Sequence, residues 1–234
     1  MLYTVLGPIE ADALGVTATH EHVLLDLRVF FQTLPVPGIP DPGTEPVAME
    51  NLGILSRDPY ALRDNLYLMD YEIQKKELLY FKRAGGSTVV DASLPGIGRD
   101  PFLLRRMAAE TGLNIVMGTG YYVGSTHPRR LASMDERTIA DEFVRDLTEG
   151  VEGTDIRAGY LGEIGISERF DERERRVLRA AALAHRETGV AVNVHINPWT
   201  TNGLEAADIL LSAGVRPASI CISHVDVENR LDYI

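Results

Sequence analysis

The stretch TATHEHVLLD, residues 17–26, sets two histidines two residues apart at the end of an apolar run. A lone His-x-His is more often packing or surface than a ligand pair, and the positions of the other histidines change that reading. Of the six in the chain, four close short apolar runs: His20 and His22 the first, His195 the run GVAVNVH, and His224 the run CISH. Side chains two apart along a strand point the same way, so His20 and His22 can converge on one ion while Glu21 turns to the surrounding helices. Neutral imidazole suits zinc, and nitrogen and oxygen donors around an open position describe a catalytic rather than a structural site. The run RAGYLGEIG has no histidine but carries Glu163. Its carboxylate could add an oxygen ligand or bridge two cations; the bland alternative is a salt-bridged or helix-facing residue. Activation of water toward a neutral pKa is the chemistry such a set provides.

These side chains need elements that bring them together. Runs around Val16–His22, GSTVVDAS, LNIVMGTG, RAGYLGEIG, GVAVNVHIN and ASICISHVD are short and apolar enough for strands covered on both faces. Helices with readable ends lie between them. Asp70 precedes a helix to Arg83, Asp100-Pro101 opens one that Gly112 stops, another spans Glu136 to Glu149, Asp171 opens one that Gly189 stops, and a last runs from Leu204 to Ser212. This alternation predicts a parallel sheet with right-handed crossovers, and α/β barrels build their sites at the C-terminal strand ends. Residues 30–60, rich in proline and glycine and without a clean period, are expected to form a long loop excursion over one end of the sheet.

Composition narrows the partners. The 234 residues are 45% hydrophobic and 24% charged, ordinary for a globular chain. A net charge of −11, with no basic run interleaved with aromatics, argues against nucleic acid. Neither a signal peptide nor an 18-residue apolar window is present, so no membrane partner is expected. The single cysteine, Cys221, can form no internal disulfide, which agrees with a reducing, cytoplasmic setting.

The segments THEHVLLD, STVVDASLPGIGRDPFLLRRMA, IVMGTGYYVG, IRAGYLGEIGIS, GVAVNVH and CISHVD together resemble the phosphotriesterase-related branch of the amidohydrolase superfamily, across almost the whole length. The resemblance implies an α/β fold, a (β/α)8 TIM barrel, with about six of the eight strand-helix units in this chain. It implies two divalent transition-metal ions, zinc first, with His20 and His22 on the more buried ion and His195 and His224 on the more exposed one. The family's bridging side chain from strand four is a carbamylated lysine in the phosphotriesterases proper. AGYLGEIG holds no lysine, and Glu163 lies one place beyond its aligned position. Some members are similar in bridging through a glutamate, which assigns the bridge to Glu163 if a bulge re-aims it. Tyr122, in GTGYYVG, resembles the tyrosine with which lactonase-like members contact the activated water, and joins Glu163 as a catalytic candidate.

The implied activity is metal-dependent hydrolysis of a lactone or related carboxylic ester, a small-molecule substrate. The alternatives are a phosphotriester or phosphoester hydrolase and a non-catalytic binding protein of the same fold. The resemblance also allows a homodimer, for which no patch in the sequence speaks. Residues 1–234 read as a single barrel domain, C-terminally incomplete, with the family's eighth-strand aspartate expected outside this chain; neither Asp226 nor Asp232 is assigned its role. Four further residues are read more plainly: His127 as part of a solvated loop rather than a receptor for an anionic group, His185 as structural inside its helix, Cys221 as a packed core thiol, and Trp199 as either lining the mouth or packing its loop.

Overall fold

In the computed structural model, which describes residues 1–32, 43–227 and 230–234, six parallel strands pair strictly in chain order. They are β1 (Thr17–Glu21), β2 (Thr88–Asp91), β3 (Asn114–Thr119), β4 (Tyr160–Ile166), β5 (Val192–Ile196) and β6 (Ile220–Ser223). Five crossover helices follow the first five strands: α1 (Tyr71–Arg83), α2 (Pro101–Thr111), α3 (Glu136–Thr148), α4 (Glu172–Thr188) and α5 (Asn202–Ser212). The result is a curled part-barrel whose two edges are β1 and β6.

Local chemistry accounts for the helix ends. Carboxylates of Asp70, Asp100, Asp135 and Asp171 accept hydrogen bonds from the backbone N–H groups of Ile73, Leu103, Thr138 and of both Arg173 and Glu174, so each satisfies an otherwise orphaned donor. Gly112 and Gly189 close α2 and α4 in the left-handed region. Helix α5 begins two residues before the expected Leu204, on Thr201, which makes no side-chain cap. A short antiparallel hairpin, Leu2–Thr4 with Gly7–Ile9, is an element that sequence periodicity does not reveal, its arms being only three residues long. It is tied to the sheet where Val5 N–H donates to the Ile115 carbonyl at 2.9 Å.

The core lies between the central strands and α3 and α4. Ile139, Phe143 and Leu147 of α3, and Val177, Leu178 and Ala181 of α4, are buried against it together with Leu161, Ile164 and Val194 of the sheet. Every residue of β4 is buried, whereas β1 and β6 are only partly covered. This corrects the expectation for Cys221. It is exposed, because its strand is an edge of the sheet and lacks a second neighbour among the described residues.

Within the excursion of residues 30–60, the described part contains a 3-10 turn, Met49–Asn51, running into the one-turn helix Leu52–Leu55. The rings of Phe30 and Tyr60 meet at 5.9 Å, and Leu25–Asp26 pairs with Tyr67–Leu68 as the segment closes. Residues 33–42 of the expected excursion lie outside the described residues. No helix among the described residues is long and apolar enough to cross a membrane.

Candidate metal centre

Two irregularities in the sheet set the geometry. On β1 the register slips between Ala18, opposite Val89, and Glu21, opposite Asp91, so one extra residue is accommodated in the stretch that carries His20. On β4 the same happens between Leu161, opposite Val192, and Ile164, opposite Val194. This second bulge carries Glu163 and turns its side chain toward His20, His22 and His195. Glycine is needed beside it: Gly162 has φ +138, and a Cβ there would lie 2.5 Å from the Asn193 carbonyl oxygen.

Glu163 ends inside the curl, 1% exposed. Its Oε2 lies 3.2 Å from His20 Nε2 and 3.4 Å from His195 Nδ1, and its Oε1 lies 3.2 Å from His22 Nε2. The His224 ring packs edge-on at 4.7 Å from His195 and 5.3 Å from His20, at the end of β6 where its backbone turns left-handed. Strands that are the two edges of the sheet thus meet at one cluster. Two groups that could each hold a metal ion result, His20–His22–Glu163 and Glu163–His195–His224, each with donor atoms within 4.8 Å of one another and with Glu163 common to both.

Neither Glu163 oxygen has an aligned hydrogen-bond donor, although both are buried. A buried carboxylate without donors is costly, and one ringed by imidazole nitrogens has the donor set a divalent transition metal takes. The residues therefore fit such ions. Electrostatics agree: burial opposes ionisation of Glu163, but the imidazoles of His195, His20 and His22 outweigh it and hold the carboxyl well below its ordinary range. Contact with Glu163 raises the His20 pKa against the opposing effect of burial. The His224 pKa falls, through burial first and then through the neighbouring His195.

Tyr122 stands at the rim, its hydroxyl 3.1 Å from His195 Nε2 and the rings 4.7 Å apart. Burial, reinforced by the Glu163 charge, pushes the phenol far above its ordinary pKa and keeps it protonated. His127 supports it, with Nε2 donating to the Tyr122 carbonyl at 2.6 Å. The solvated-loop assignment of His127 is thereby corrected; the ring is partly buried, and burial lowers its pKa. Trp199 is 70% exposed, and His185 is buried with Nδ1 on the Val190 carbonyl, a structural role as expected.

Sequence reasoning missed the groups behind the ligands. Asp91 is fully buried, and burial lifts its pKa to about 6 although the Val23 N–H donates to it at 2.8 Å. Ser93 touches His22, and Ser223 touches His20. The signal available was position alone, polar residues at C-terminal strand ends in VVDAS and CISH.

Residues 1–234 match the model of the phosphotriesterase family. The N-acetyltaurine hydrolase of Danio rerio is 39% identical over 229 residues, covering 95% of this chain and 64% of that protein. A resiniferatoxin-binding protein from Rhodobacter sphaeroides superposes with a TM-score of 0.93 at 37% identity, covering 96% of this chain and 63% of the other. A mutant PTE-like lactonase from Deinococcus radiodurans gives a TM-score of 0.77 at 29% identity, covering 100% of this chain and 66% of the other. The chain thus spans 64% of the length of the curated relatives it matches. On the strength of the whole-chain match and the relatives above 30% identity, the chain belongs to the phosphotriesterase family, within the amidohydrolase superfamily.

Proposed function

We propose that the chain carries the metal-binding part of a hydrolase acting at an acyl carbon, with lactones and related carboxylic esters as the favoured substrates. The observation that carries this reading is the buried Glu163 carboxylate set among four histidines, with three imidazole nitrogens within 3.4 Å of its oxygens and none aligned as a hydrogen bond. His20, His22 and Glu163 would hold one divalent ion, zinc by preference, and Glu163, His195 and His224 a second. Ions bound there would supply a water of lowered pKa and polarise the substrate's acyl oxygen.

The chain's own residues do the rest. Glu163 remains ionised and keeps the imidazoles turned inward. Tyr122, protonated at any working pH, donates from its hydroxyl toward oxygen charge that develops as the acyl carbon becomes tetrahedral. Tyr60 lies near enough to influence Tyr122 electrostatically, which would place that residue at the mouth, where it could help select substrate. A cytoplasmic setting is the reading consistent with one unpaired cysteine.

A second reading has its own support. Relatives at 39% and 37% identity are N-acetyltaurine hydrolases, which makes an N-acyl amide the competing electrophile. The test is a panel of lactones, N-acyl amino sulfonates and phosphotriesters, turned over by zinc-loaded protein and by Tyr122→Phe. Lactone hydrolysis that exceeds the other two and falls in the variant supports the proposal. Faster turnover of the amides selects the second reading, and turnover of phosphotriesters alone sinks both.

A further inference from the structure

Behind His22 sits a hydroxyl that the proposed chemistry does not use. Ser93, two residues beyond the end of β2 and fully buried, places Oγ 3.1 Å from His22 Nδ1. The same oxygen lies 2.6 Å from the Leu24 carbonyl oxygen and 3.2 Å from Asp91 Oδ1. A serine has one proton to give, and a carbonyl can only accept. The short contact to Leu24 therefore commits the hydroxyl proton, and Oγ turns a lone pair toward the imidazole. His22 must then be the donor, with its proton on Nδ1.

We propose that Ser93 is a positioning residue that fixes His22 as the Nδ1–H tautomer and aims Nε2, 3.2 Å from Glu163 Oε1, at the ion site. The inference rests on the metal-site reading above. Ligating histidines commonly give their second N–H to a carboxylate, carbonyl or water, and that contact sets the tautomer and the orientation of the ring. Here a serine serves, itself held by the backbone of the β1 loop at Leu24.

The arrangement occurs twice. Ser223, the last residue of β6, donates to Asn193 Oδ1 at 2.9 Å and lies 3.2 Å from His20 Nδ1, leaving His20 Nε2 at 3.2 Å from Glu163 Oε2. His22 is thus oriented from the neighbouring strand β2. His20 is oriented from β6, across the opening between the two edges of the sheet. Both rings of the His-x-His pair present the same nitrogen to the same carboxylate, which is what a shared ion requires of two ligands from one strand.

The experiment is nitrogen-15 NMR of the 234-residue chain with labelled histidine, metal-free and then titrated with zinc, on the parent, Ser93→Ala and Ser93→Thr. The parent is expected to hold a proton on His22 Nδ1, protected from exchange, in both states, with Nε2 free of a proton once zinc is bound. Ser93→Ala loses that protection and binds zinc about 10–100-fold more weakly, and Ser93→Thr recovers both. A parent in which the His22 Nδ1 is unprotonated overturns the proposal, as does a Ser93→Ala chain with parental protection and affinity. If the parent takes up no zinc, the metal reading falls by itself, and the metal-free spectrum of the parent still decides the role of Ser93. That spectrum needs no variant to fold.

Discussion

The middle of the sheet and its two edges hold the same site by different means. Strand β4 is buried at all seven positions and delivers Glu163 from a frame packed by α3 and α4. Strands β1 and β6 are partly exposed, yet His20, His22 and His224 come from their ends. Apolar packing therefore fixes the carboxylate. The histidines are fixed by polar contacts, His22 through Ser93, and His20 through Ser223 and the Glu163 carboxylate. A centre defined by packing and edges defined by hydrogen bonds should fail differently when perturbed.

The largest difference is expected in stability. Phe143→Ala, at 1% exposure under the central strands, should cost about 3–5 kcal/mol in urea denaturation, whereas Cys221→Ala on the exposed edge should stay within about 0.5 kcal/mol. Comparable losses at the two positions would erase the distinction. Next comes the chemistry at the rim. Tyr122→Phe should lower turnover of the favoured ester by on the order of 10²-fold with little change in zinc affinity, because the phenol touches His195 without belonging to either ligand set. Loss of zinc instead would make Tyr122 part of the metal frame.

A smaller effect separates the frame from the site by pH. Burial lifts Asp146 to about 6, against the hydrogen bond it accepts from Thr119 at 2.5 Å. A carboxyl whose folded pKa lies above its unfolded one stabilises the protein fully below the unfolded value near 3.8, and that contribution disappears as pH rises through about 6. Asp91, also lifted to about 6, loses stability over the same window. Asp146→Asn should therefore remove about half of this decline, gaining roughly 2–3 kcal/mol on the parent between about pH 4 and pH 7. Parallel pH–stability curves for parent and variant would show that Asp146 is not the buried acid described. Smallest of all, Cys221 should be modified by a thiol reagent in the folded chain, more slowly than an unfolded cysteine because burial raises its pKa, while complete protection would mean that the β6 edge is covered in solution.

Much of this was legible in the sequence because it is written locally. Capping aspartates and stop glycines are read within four residues, and α2 and α4 begin and end where Asp100, Gly112, Asp171 and Gly189 place them. The histidines and Glu163 stood out because chemistry-bearing side chains at the ends of apolar runs are conspicuous. The β4 bulge could be stated only as a requirement, since the register of β4 depends on where Leu161 and Ile164 meet β5. Cys221 was misread because period-two alternation says which way a side chain points but not whether a neighbouring element covers it. The serines were missed for a related reason: Ser93 meets His22 across 71 residues and Ser223 meets His20 across 203, separations no local pattern encodes.

The central claim is that Glu163 joins two ion sites, and metal content per chain tests it most directly. Protein purified without chelator and loaded with zinc should hold about two ions per chain by elemental analysis. The count should fall toward zero in Glu163→Gln and by about one in His20→Asn/His22→Asn, with each variant still folded by circular dichroism. Well-folded parent protein that retains close to no metal, or a Glu163→Gln chain that keeps both ions, would contradict it.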